Sequence, residues 1–329
     1  MAHVSIDLPD GERFRGSDRG QLLVVAGLVM AVSLVALVVL LNATIYSENV
    51  ATRGIEAADG EATEVRAATV EGVGETIDAV NRAHEGEDPP TDAALADIDE
   101  LEERLGRSYA RRGATVQLDA DASRTSGGDR VDTAGKDTSL ANATNATSYT
   151  VAGNIDGTRG FVLDLEVDSL ASSTAGDAAD EAFHVVVDPA GNERREVYVY
   201  RDDGSDDVVV AAGDGGEDPA VVCTVDPVGA DRVSVDVTGE QLDGEPCVGL
   251  WPSDRLAPGN EHTLEVGNGD AADGLIRATV RPTNATLVTD VDAADTAGAV
   301  YDATVDLTYR TAELRFETTL RVAPGEPDA

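Results

Sequence analysis

Residues 302–322 read "DATVDLTYRTAELRFETTLRV", two runs in which apolar and polar residues alternate. In the second run Leu314, Phe316, Thr318, Leu320 and Val322 oppose Arg315, Glu317, Thr319 and Arg321. Successive side chains of a strand point to opposite faces, so strict alternation predicts one buried face and one wet face. The same period recurs in "GFVLDLEVDSL", where Phe161, Leu163, Leu165 and Val167 oppose Asp164, Glu166 and Asp168. In "DRVSVDVTG", Val233, Val235 and Val237 oppose Arg232, Ser234 and Asp236. Further strand-like runs are "AFHVVVD", "REVYVYR", "AVVCTVD", "HTLEVGN" and "GLIRATVR", separated by turn sequences such as "DPAGN", "DDGSDD", "GDGGED" and "GNGD". About eight to ten short strands with turns between them predict a mostly antiparallel β-sandwich over residues 113–329. The stretch "DASRTSGGDRVDTAGKDTSLANATNATS" reads as a polar loop or hairpin region inside it.

Upstream the period changes. Residues 42–112 are rich in Ala and Glu, and Ile45, Val50, Ile55, Val65, Val70, Val73, Ile77 and Val80 recur at a rough helical spacing. Gly54, Gly60, Gly72 and Gly74 weaken that helix and predict kinks, and "EGEDPP" ends it. A second helix is expected from about Thr91 to Arg112, with Thr91 as N-cap, Asp92 in the first turn and Gly113 just past the end. Its Leu95, Ile98, Leu101, Leu105 and Tyr109 share one face, which predicts packing against the first helix or the β domain.

Residues 17–44, "SDRGQLLVVAGLVMAVSLVALVVLLNAT", carry an unbroken apolar run. From Leu22 to Leu41 only Ser33 is polar, and as a helix the run reaches about 30 Å, the thickness of a bilayer core. It is longer than the apolar part of a secretory signal, so residues 21–41 are expected to remain as a transmembrane helix behind a tail of residues 1–20. Arg13, Arg15 and Arg19 precede it. The positive-inside rule then places the N-terminus in the cytoplasm and everything beyond residue 42 outside. Three sequons favour an external location, with candidate N-glycosylation at Asn142, Asn145 and Asn284; a fourth, at Asn42, lies too near the bilayer to be modified. Cys223 and Cys247 are the only cysteines, and in an oxidising compartment they read most simply as a disulfide, with two buried free thiols as the alternative.

"DRGQLL" followed by a long apolar run resembles the class III signal of archaeal type IV pilins and archaellins. That resemblance implies cleavage by a prepilin peptidase between Gly20 and Gln21, and a retained helix that packs against copies of itself or other pilin-like subunits. Val25 stands where many bacterial pilins carry Glu. From "LLNATIYSENVATRG" to "VDLTYRTAELRFETTLRVAPGEP" the chain is similar to uncharacterised haloarchaeal membrane proteins, often described as pilin-like. The expected fold class is therefore α+β: an N-terminal transmembrane helix, an extracellular helical stalk over 42–112, then the β-sandwich. The alternative reading is a non-assembling single-pass surface protein that binds a ligand or supports the envelope.

The 329 residues hold 63 Asp and Glu against 24 Lys and Arg, a net charge of -39, and Lys136 is the single lysine. Such a surface suits saturating salt, where the Debye length is about 3 Å, and predicts an extreme halophile as source. It excludes nucleic acid as a partner, since no basic patch faces phosphates. No cofactor is expected and no enzyme motif is present. His3, His84, His184 and His262 show no metal or catalytic spacing. The acidic loops 201–207 and 213–218 lack the spacing of a calcium loop. Trp251 is expected to plug the core beside the cysteines. Tyr198 and Tyr200 share a sheet face, either exposed to a glycan or packed under a loop or the second helix. The charge alone predicts salt dependence: near-UV circular dichroism should persist in multimolar KCl and fade below about 0.5 M, as screening weakens. A melting temperature equal at about 0.1 M and 3 M salt would refute the halophilic reading.

Overall fold

The computed structural model describes residues 60–133, 138–142, 144–190, 194–215, 217–250, 259–284, 287–292 and 295–327, with isolated helical positions between 27 and 37. Two compact units divide the chain, Met1–Glu64 and Val65–Ala329. In the first, Leu28, Met30, Leu34, Val35 and Leu37 are helical and exposed. Among the described residues no helix is long and apolar enough to cross a membrane. The expected 21–41 span lies mostly outside those residues, as do the 1–20 tail, Gly20, Gln21, Asn42 and Trp251.

The second unit is β-rich. Helix α1 (residues 60–83, of which 65–83 belong here) and α2 (Thr91–Ala110) precede a long strand β1 (Thr115–Asp132). There follow β2 (Thr138–Ser139), β3 (Tyr149–Glu166), β4 (Ser172–Ser173), the short helix α3 (Ala178–Glu181), β5 (Phe183–Pro189), β6 (Arg195–Asp202) and β7 (Val208–Asp214). The remaining strands are β8 (Ala220–Val225), β9 (Arg232–Asp236), β10 (Gln241–Leu242), β11 (Glu245–Pro246), β12 (His262–Gly267), β13 (Asp273–Pro282), β14 (Thr296–Arg310) and β15 (Arg315–Val322).

These strands hydrogen-bond into one network in place of the two separate short-stranded sheets of the expected sandwich. Its main path runs β15-β14-β1-β13-β3-β12-β5-β6-β7-β8. The branch point is β3, 18 residues long. One of its edges pairs with β13. The other is shared: Tyr149–Ile155 pairs with β12 and Val162–Glu166 with β9. Asn154, at the end of the first half, and Gly160, between the two, take left-handed backbone, φ 56° and 58°. Such residues bend a strand, so the two arms leave β3 in different directions. Their inner faces then meet in one core: Val185, Val199 and Val210 from the β12 arm, Val233, Val235 and Leu242 from the β9 arm. Cys223 on β8 and Cys247 just after β11 form a disulfide with Cα atoms 5.8 Å apart, tying the ends of the arms together. It is the bond expected from the pair of cysteines.

The alternating hairpin is present as β14 and β15. Leu320 and Val322 are buried and Leu314, Phe316 and Thr318 half-buried, while Arg315, Glu317, Thr319 and Arg321 are exposed. The covered face packs against both helices. Val73, Ile77 and Ile98 meet Val116, Val305 and Leu320 in a second core. Tyr109 of α2 sets its ring edge against Tyr309 of β14, centroids 5.8 Å apart. The amphipathic face of α2 is thus used within the molecule. Thr91 is its first helical residue and Pro90 the N-cap, with no side-chain cap bond; proline's fixed φ and missing N–H suit the edge of a helix. The glycines of α1 do not end it. The Leu101 methyls lie where a Cβ on Gly72 would fall, about 2.9 Å away, so the glycine is what lets the two helices approach.

The first half of the expected loop at 121–148 is strand. β1 continues to Asp132 because β14 and β13 flank it and take up its backbone hydrogen bonds. Opening the disulfide tests the closure of the two arms. Cys247→Ser should cost roughly 3 kcal/mol, a fall in melting temperature of about 6–12 °C at constant salt, because a loop spanning 24 residues is released in the unfolded chain. An unchanged melting temperature would show that packing alone holds the arms.

Candidate functional site

Where α1 crosses the sheet, polar residues replace apolar ones. Asp78 and Asn81 lie one turn apart on α1. Asn81 behaves like a strand neighbour of β14: its Nδ2 donates to the Val300 carbonyl at 2.9 Å and its Oδ1 accepts from the Val300 N–H at 2.8 Å. Arg159 of β3, only 2 % exposed, reaches the same place. Its Nη1 donates to Asp78 Oδ1 at 3.0 Å and to the Pro324 carbonyl at 2.9 Å, and its Nη2 to the Val300 carbonyl at 2.9 Å. The Gly160 N–H donates to the Gly325 carbonyl at 3.0 Å. One arginine and its neighbour thereby pin the first helix, the sheet and the C-terminal segment.

A second cluster adjoins it around Tyr301. The guanidinium of Arg281 lies 5.1 Å from the Tyr301 ring centre and that of Arg159 5.8 Å, within cation–π range. Arg281 donates to Asp156 at 2.7 Å and to Asp302 at 3.4 Å. Arg321 donates to Asp302 at 2.8 Å and 3.0 Å and also pairs with Glu326. Asp302 is 3 % exposed, so two arginines neutralise one buried carboxylate. The Tyr301 hydroxyl donates to Glu326 at 2.8 Å. Burial, and then the Glu326 charge, push the Tyr301 hydroxyl well above its usual range. Burial works against the charge of Glu326, but hydrogen bonds from Arg321 and Tyr301 outweigh it and hold the carboxyl below the usual carboxylate range.

Two cavities flank the C-terminal segment and share Asp78, Pro324 and Gly325. One, of 610 Å³, is bordered by Glu71 and Glu75 of α1 and by Arg321 and Glu326. The other, of 270 Å³, is lined by Arg82, Arg130, Arg159 and Arg277, with Asp78 and Asp132 among them. Spacing in the chain does not announce this gathering. The four arginines come from α1, β1, β3 and β13; the pairing of β13 with β1 and β3 brings three of them together, and the docking of α1 on the sheet adds Arg82.

The residues singled out from the sequence lie elsewhere. Asn145 and Asn284 are exposed. Asn142 is half-buried, and its Oδ1 accepts from the N–H groups of Thr144 and Ala146 and from the Thr144 hydroxyl. Tyr198 and Tyr200 are buried against Ala178 and Ala182, at and just past α3. The cover is this short helix, and no open tyrosine platform exists there. Tyr198 donates to Glu196 at 2.6 Å. His262, 1 % exposed, donates from Nδ1 to the Asn260 carbonyl at 2.9 Å, while the Thr158 hydroxyl lies 2.9 Å from Nε2. Burial lowers its pKa and that of His184, disfavouring the charged form of both rings. In the loop 201–207 the Asp202 carboxylate closes a turn, accepting from the N–H groups of Gly204 and Ser205. Among the described residues no group of three or more His, Cys, Asp and Glu is placed to hold a metal ion.

A family of unknown function, DUF7261, matches residues 16–175 of the chain. That range takes in Asp78, Asn81, Arg82, Arg130, Asp132 and Arg159, and ends before β13 and Arg277. No curated protein and no solved structure matches.

The Tyr301 cluster makes a quantitative demand on stability. Asp302→Asn leaves Arg281 and Arg321 facing a neutral amide in a buried setting. It should lower unfolding free energy by about 3 kcal/mol, measured by urea titration at constant high salt. A loss below about 1 kcal/mol would show that both arginines are satisfied by Asp156 and Glu326 alone.

Proposed function

We propose that the chain is a membrane-anchored cell-surface protein of a halophilic archaeon, with the β-rich unit outside the cell. The observation that carries this reading is the apolar run Leu22–Leu41. Its described large residues, Leu28, Met30, Leu34, Val35 and Leu37, are helical and 56–67 % exposed. They fall all around a helix, so no single side is spared for water. Apolar surface of that kind is stable in lipid or against copies of itself. The arginines at 13, 15 and 19 ahead of it, the exposed Asn145 and Asn284 beyond it, and the disulfide all agree with an outward-facing C-terminal unit.

Within that reading the most concrete role is a pilin-like or pseudopilin-like subunit of a type IV pilus-type system. Its partners would be the membrane, other copies or pilin-like subunits, and a prepilin peptidase acting between Gly20 and Gln21. A second reading is a non-assembling anchored protein that binds a ligand. It is favoured by the arginine-lined cavity, which a pure assembly subunit does not need. Mass spectrometry of the mature N-terminus from a native-type host separates them. The pilin-like role requires Gln21 as first residue. Retention of residues 1–20 overturns that role and leaves the anchored ligand-binding protein.

A further inference from the structure

We infer that the 270 Å³ cavity between α1, β1, β3 and β13 is a binding site for a dianionic oxyanion, a phosphate or sulfate group. The first argument is charge. Four arginines and two aspartates line the cavity, so 4 − 2 leaves a local charge of +2 in a chain whose net charge is -39. In so acidic a chain, a local excess of cations held by four separate elements is a built feature of the fold.

The second argument is hydrogen bonding. The buried Nε of Arg159 and the buried Nε of Arg130 have no hydrogen-bond partner. Arg159 is 2 % exposed, and leaving a guanidinium N–H unpaired at that depth is costly. Arg130 spends one Nη2 bond on the His84 carbonyl at 3.2 Å. Its contact with Asp132 is 3.7 Å, and that of Arg277 with Asp132 is 3.8 Å, both too long for hydrogen bonds. Both Nε atoms are closed off from a water-sized molecule, so the donor capacity that remains on the cavity wall is that of Arg130 Nη1 and of the Arg277 guanidinium. Arg277 and Arg82 are exposed at its solvent edge, where a ligand enters, and Arg159 forms the inner wall.

The third argument is selectivity. In molar chloride, long-range attraction is screened within about 3 Å, so a point charge would be saturated by the halide. Guanidinium groups instead offer paired N–H donors at fixed spacing, which match the oxygens of a tetrahedral anion and not a spherical one. The cavity has room for about nine waters, enough for one such group and its residual hydration. The group is supplied by the free ion or by the phosphomonoester of a lipid headgroup; both present the same tetrahedral dianion.

The test uses the full chain in about 3 M KCl, so that chloride is always in excess. Inorganic phosphate and inorganic sulfate are titrated calorimetrically, and vesicles containing phosphatidic acid are assayed by flotation. Saturable single-site binding of either inorganic ion, weakened about tenfold or more by Arg277→Gln and by Arg130→Gln, is the expected result for the free ion. Vesicle binding with the same loss in both variants, and no heat from the inorganic ions, assigns the headgroup. Arg277 is exposed, so its substitution leaves folding intact if Arg130→Gln does not fold. Arg315→Gln on β15, away from the cavity, should change nothing. Absence of binding to all three probes, or binding unaltered by Arg277→Gln, overturns the proposal and assigns the cavity to water.

Discussion

The Arg159 guanidinium is the contact on which the rest of the β-rich unit depends. It sits at the meeting point of two apolar cores, one between the arms of the sheet and one beneath the helices. A buried cation there is costly to desolvate, by several kcal/mol, unless its donors are met. Its Nη donors are met by one carboxylate from α1 and by carbonyls of β14 and the C-terminal segment, and its Nε alone is left without a partner. Removing any one of these elements leaves an unpaired charge in the interior. The helices, sheet and tail are therefore coupled by polar geometry as well as by apolar area, and the coupling runs through one side chain.

The choice of arginine follows from the composition. With 63 acidic side chains and one lysine, nearly every cation is a guanidinium. On the outer strand faces these pair locally, as Arg232 does with Asp164 at 2.8 Å and Arg124 with Asp306 at 2.9 Å. Such exposed pairs add little each. Inside, Arg281 and Arg321 share Asp302, where screening by salt is weak and planar donors can meet several acceptors at once. The same property equips the cavity lined by Arg130, Arg159 and Arg277 to hold an oxyanion.

The branched sheet has its own physical cause. A strand of 18 residues is longer than any one neighbour on its second edge, so β3 takes two. Left-handed backbone at Asn154 and Gly160 separates them. Each arm presents an apolar face that must be covered, and the two cover each other. The disulfide closes what hydrogen bonds leave open, since β8 and β11 share no ladder.

Alternation along 302–322, 160–170 and 231–239 determined strands, their inward residues and the antiparallel character, because period two is a local property of the chain. The helix from Thr91, the break at "EGEDPP" and the pairing of the only two cysteines were local or countable in the same way. Other features depend on neighbours. β1 reads as a polar loop through "ASRTSGGDRVD", yet it is central, since a strand flanked on both sides gains its stability from backbone pairing and not from its side chains. The covering of Tyr198 and Tyr200 by α3 required the 3D return of residues 178–182 over β6 and β7. The candidate site was the least legible of all. Arg82, Arg130, Arg159 and Arg277 are dispersed over nearly 200 positions with no motif, and only the register of β13 against β1 and β3, with α1 docked on the sheet, turns four unremarkable arginines into one wall.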